Sequence, residues 1–195
     1  RGSPEGLSSS NPPLNRGIHV ENWNVVPSRS KEVDYYLLNR SRTPIQIKGH
    51  VADRIDIGEF LAILEEVGFP LKLTNGLQLI QFTRLGNKYF GDYGDGVVRI
   101  SMKGRRRTST LVETFIHEVA HHIDFEDDFS DILTQERERK GKLIHRRARD
   151  SDAEYFARGF ERFYSRNPDD RRELYRDHRK LYLMILKLHR EFSHR

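Results

Sequence analysis

Apolar residues along this chain fall into two spacings, and the change between them divides it. Up to about residue 102 they come in short alternating runs. Ile18-His19-Val20, Ile45-Gln46-Ile47-Lys48, Leu77 to Phe82 and Val97 to Met102 predict strands. One helix interrupts them over Asp53 to Val67, with Ile57, Phe60, Leu61, Leu64 and Val67 inward and Gly68-Phe69-Pro70 ending it. Asn75-Gly76 is a turn signal. Tyr89-Phe90 reads as a further short strand, followed by a loop from Gly91 to Gly96.

Beyond that point the spacing is helical. Val112, Phe115, Ile116, Val119 and Ile123 form one buried stripe, and Thr110 with Glu113 has the spacing of a capping box at its start. Residues 132 to 150 are polar and charged, a helix or ordered loop. Glu154 to Phe163 predicts a second helix, capped by Ser151 and apolar at Phe156, Phe160 and Phe163. Asn167, Pro168 and Asp169-Asp170 then open a long final helix with Leu174, Leu181, Met184, Ile185 and Leu188 on its apolar face. Residues 1–17, rich in Ser, Pro, Gly and Asn, read as a disordered tail or linker. The expectation is an α+β protein. Residues 18–195 form a single domain, with sheet and first long helix over 18–125 and a helical part over 126–195.

Chemistry enters at His117-Glu118-Val119-Ala120-His121, an H-E-x-x-H sequence on the predicted helix. Positions i and i+4 share a helix face, so both imidazoles can grip one metal ion. Glu118 then projects beside it, where a carboxylate can take a proton from water. Two His do not complete a catalytic zinc site, which uses three protein ligands and leaves a fourth position for water. Glu154, Asp127, Asp124 and His145 are the candidates for the third. Glu154 lies in the first turn of its helix, where a carboxylate also meets the positive end of the dipole. Asp127 would need a tight turn, and Asp124 stands where Gly would make it. His145 sits among Arg146, Arg147 and Arg149, which would repel a dication.

Two segments carry a family resemblance. HEVAHHID at 117–124 and SDAEYFARGFERFYS at 151–165 resemble the anthrax lethal factor-type catalytic domain and its small relatives, which are gluzincins. The second segment is similar to the family's E-[FY]-F-A-x-x-[FY], and Asn167-Pro168 with the following helix fits as well. The likeness spans roughly residues 97–192. It implies a zincin-like fold, a small twisted sheet with a backing helix and the H-E-x-x-H helix, followed by a helical C-terminal subdomain. It also implies one Zn2+ per chain, with His117, His121 and Glu154 as ligands and Glu118 as general base of an endopeptidase. Asp124 is expected as an outer partner of a His ligand. Two positions depart from the family. Arg147 replaces a Tyr seven residues before the ligand Glu, and Arg158 replaces a Glu four residues after it. Arg147, His145 and Tyr155 therefore all stand as candidates to stabilise an oxyanion. In such folds a strand like Val97 to Met102 rims the cleft, where an extended peptide can pair with it.

Composition narrows the picture. Cysteine is absent, which excludes disulfides and Cys-ligated zinc. No run of eighteen apolar residues occurs, so no transmembrane helix and no membrane partner are expected. The chain opens on Arg1-Gly2-Ser3 rather than Met, so the lack of a secretory segment says nothing of location. Secreted and cytoplasmic settings both fit. The formal net charge is +5, with Arg105-Arg106-Arg107 and Arg146, Arg147 and Arg149 as its sharpest clusters. A solvated basic surface is favoured over a nucleic-acid site, and an acidic stretch of a protein or peptide substrate is a secondary expectation. The acidic run Asp124 to Asp131 lacks the glycine of a calcium loop and reads as a solvated helix end. Two alternatives to a general peptidase follow: a DNA-associated metallopeptidase, and an inactive zincin-fold binding protein.

Overall fold

A computed structural model of the protein describes residues 23–27, 33–38, 43–86, 89–104, 106–139 and 146–193. The tail expected over residues 1–17 and the strand expected at Ile18–Val20 lie outside them. The alternating stretches form one mixed sheet. β1 (Trp23–Pro27), β2 (Val33–Leu38), β3 (Pro44–Ile47), β4 (Leu79–Thr83), β5 (Gly91–Gly94) and β6 (Val97–Ser101) lie in the order β1-β2-β3-β4-β6-β5. β1 to β3 run antiparallel in sequence, while β4 is parallel to both β3 and β6.

Parallel neighbours need a crossover, and α1 (Ile57–Glu66) supplies the one between β3 and β4. Phe60 of α1 meets Phe82 of β4 edge-on, with centroids 5.2 Å apart, and Phe115 at 5.5 Å. Ile57, Phe60 and Leu64 are buried as expected, Leu61 and Val67 are half-buried against the same core, and Ile63 is buried as well. The helix starts at Ile57 rather than Asp53 because the Asp56 side chain accepts the Glu59 N–H at 3.0 Å. Residues 49–54 before it form a 3-10 helix.

The region before α2 differs from expectation. Tyr89 and Phe90 are exposed and lie just before β5, whereas Gly91–Gly94, expected as loop, is that strand. It pairs antiparallel with β6 across a turn at Asp95 and Gly96, both at positive φ. Gly-Asp-Tyr-Gly has no β-branched residue, so its strand character comes from pairing, not from side chains. The consequence is that β6 is paired on both sides. The sheet edge beside α2 is β5, not the strand at Val97–Met102.

α2 (Thr108–Asp127) begins two residues before the expected cap at Thr110. Thr108 donates its hydroxyl to Glu59 Oε2 of α1, which ties the helix start to α1, and Thr110 lies inside the first turn. The expected stripe is buried, and so are Leu111, Ala120, His117, Glu118, His122 and Asp124. This helix is enclosed on nearly every side because the sheet and α1 flank it on one side and α4 (Asp152–Phe163) packs along the other. It ends at Asp128, a left-handed residue whose N–H bonds to Asp124 O at 2.7 Å.

A short α3 (Thr134–Glu138) leads towards α4. Phe156, Phe160 and Phe163 of α4 are buried as the pattern predicts. The expected single terminal helix is two, α5 (Pro168–Asp177) and α6 (Arg179–Ser193), broken at His178. The reason is the Glu136 carboxylate of α3, which accepts the Lys180 and Leu181 N–H groups at 2.8 and 3.1 Å. It caps a new helix start whose amides would otherwise lack acceptors. Among the described residues, no helix is long and apolar enough to cross a membrane.

Candidate metal centre

The buried stripe of α2 orients its opposite face. Once Phe115, Ile116 and Val119 face the core, His117, Glu118 and His121 must look into the space between β5 and α4. Here a cleft of about 850 Å³ opens, lined by all three together with Glu154. Ser151 Oγ accepts the Glu154 backbone N–H at 3.0 Å and starts α4 as expected. That leaves the Glu154 carboxylate free to cross to α2.

His121 Nε2 lies 3.0 Å from His117 Nε2 and 3.1 Å from Glu154 Oε1, and His117 Nε2 lies 3.4 Å from the same oxygen. Ligand bonds of 2.0–2.1 Å at tetrahedral angles would separate neighbouring donors by about 3.3 Å. The three atoms therefore stand as three corners of a tetrahedron sized for a small divalent cation, and the group could hold a metal ion. Two imidazoles, one carboxylate and no thiolate suit a first-row divalent cation.

Charge points the same way. Glu118, Glu154 and Glu161 converge around two imidazoles in a partly buried space, and Arg158 offsets only part of their negative charge. His117 loses solvent by burial, which opposes its charge, but the close Glu154 and Glu161 carboxylates outweigh that and push its pKa up to about 9. The two imidazoles hold the Glu154 carboxyl far below the usual range. Glu118 is only 7% exposed, and burial raises its pKa against the opposing effect of the two His.

Asp127 is exposed on the last turn of α2 and is not part of the donor group. His145 lies outside the described residues. Asp124 is not the partner of a His ring: its oxygens accept the Ser130 N–H at 2.6 Å and the Ser130 hydroxyl at 2.7 Å, buttressing the turn after α2. Tyr155 is corrected too. Its buried hydroxyl donates to Glu136 Oε1 at 3.0 Å, away from the cleft. Arg147 does line the cleft. Arg106 and Arg107 do not. Arg106 is spent internally, donating to Ser101 O at 2.9 Å and Thr114 Oγ1 at 2.6 Å.

Three site residues escaped the sequence reading. Glu161 lies two turns after Glu154 on the same face of α4, and its Oε1 comes within 2.8 Å of His117 Nδ1, off the ideal N–H direction. That i, i+7 spacing was its only signal. Gly91 brings β5 against Glu118. His122, buried beside the motif, approaches Asn75 O at 2.9 Å with Nε2 and the Tyr93 hydroxyl of β5 at 3.2 Å with Nδ1. Asn75 O can only accept, so Nε2 carries the proton and Nδ1 receives the Tyr93 O–H. His122 thus ties the edge strand to the helix.

No protein-family model matches the chain, and no curated protein sequence matches it.

Proposed function

We propose that the protein is a zinc-dependent endopeptidase of zincin-like fold. The observation that carries this reading is the convergence of His117, His121 and Glu154 donors beside the buried Glu118 carboxylate in one open cleft. Three protein donors rather than four is the number typical of catalytic zinc sites. When bound, the zinc supplies Lewis acidity and brings the pKa of water down to about 7.

The remaining work falls to side chains of this chain. Glu118 accepts the proton of the attacking water and passes it to the leaving amine. Its burial supports that role, because a raised pKa brings a carboxylate nearer to the proton affinity a base needs. Arg147, on the cleft wall, is a candidate to stabilise the developing oxyanion. Among the described residues β5 is the sheet edge beside Glu118, where an extended peptide can add as a further strand.

The test compares the parent with Glu118→Gln and His121→Ala. Glu118→Gln keeps one zinc per chain by metal analysis while casein hydrolysis falls by about 10²–10⁴-fold. His121→Ala loses the metal. Cleavage by Glu118→Gln at the parent rate would reject the assignment. Zinc binding by the parent without any cleavage would favour a non-catalytic binding protein.

A further inference from the structure

Resting on the zinc reading above, we infer that Glu161 is the positioning residue of this centre: it aims His117 at the metal, and Arg158 holds it in place. Glu154, Arg158 and Glu161 fall at i, i+4 and i+7 and share one face of α4. Arg158 Nη1 donates to both Glu161 oxygens at 2.8 Å. Its Nε lies 3.9 Å from Glu154 Oε2, close enough for charge though not for a hydrogen bond. A single guanidinium thus stands between the carboxylate that joins the donor group and the carboxylate that faces His117.

The effect on His117 follows from the chemistry of imidazole. A neutral ring carries one proton and one lone pair. Glu161 Oε1 stands 2.8 Å from Nδ1, off the line of a straight hydrogen bond, and an ionised carboxylate that close favours the proton on Nδ1. The lone pair is then on Nε2, the nitrogen that faces His121 Nε2 and Glu154 Oε1. Glu161 selects the tautomer that a metal ligand requires. Among the described residues no carboxylate meets His121 Nδ1, so this control acts on one ligand only.

The test is zinc affinity, measured on the full chain by competition with a chromophoric chelator, with a thermal melt of each metal-free variant. Glu161→Ala weakens zinc binding about 10–100-fold. Glu161→Asp keeps the charge but withdraws the carboxylate by one methylene, so it shows a comparable loss. Glu161→Gln keeps the length and an acceptor oxygen and restores most of the affinity. If folded Glu161→Asp binds zinc as tightly as the parent, position does not matter and the inference fails. Should Glu161→Ala not fold, Glu161→Asp alone decides between these outcomes. A parent that binds no zinc would instead overturn the zinc reading itself, and this inference with it.

Discussion

Gly91 and Glu118 touch across a gap that admits no side chain. A Cβ at Gly91 would sit 2.9 Å from Glu118 Oε1, 3.0 Å from its Cγ and 2.7 Å from Thr114 Cγ2. The glycine is needed here for close approach, not for an unusual backbone angle. It lets the edge strand lie against the helix at the residue proposed as base.

Gly91→Ala should therefore push Glu118 aside or lift β5. A displacement near 1 Å at a reacting group can cost about 100-fold in rate. The expected result is a fall of that order in kcat for peptide hydrolysis, with zinc still bound at one per chain. An alanine variant with the parent's kcat would show that Glu118 has room to move without consequence.

Zinc capture should release a proton. Burial disfavours charge on His117, yet Glu154 and Glu161 raise its pKa from 6.5 to about 9 in the metal-free protein. A ligand nitrogen must be neutral. Below about 9 the ring is protonated and must give up its proton, so affinity rises with pH until that value and then levels. Calorimetry in buffers of different ionisation enthalpy should find about one proton released per zinc near neutral pH. Affinity that stays flat between neutral pH and 9 would contradict the raised value.

Gly159 is a second tight contact, this time between α4 and α6. A Cβ there would meet Leu181 Cδ2 at 2.5 Å and Cγ at 2.8 Å. Leu181 is fully buried. Gly159→Ala should lower stability by about 1–3 kcal/mol, the usual cost of overpacking, read as an earlier urea midpoint. An unchanged midpoint would mean that the two helices separate more easily than their packing implies.

The local features were legible in the sequence because they depend on neighbours within a turn or two. Val112, Phe115, Ile116 and Val119 define the buried side of α2 by spacing alone, and so place His117 and His121 together on the other. Ser151 and Asn167 mark helix starts because each side chain caps its own backbone. What depends on distant partners was not legible. β5 is a strand because β6 pairs with it. The break at His178 exists because Glu136, more than forty positions earlier, caps α6. The sequence favoured Glu154 over Asp127, and the crossing of α4 over α2 is what brings the Glu154 carboxylate to the two imidazoles. The sequence thus determined which residue types carry the chemistry and on which helical face. Tertiary structure alone decided which carboxylates reach them, since a helix spaces its own side chains but cannot aim those of another.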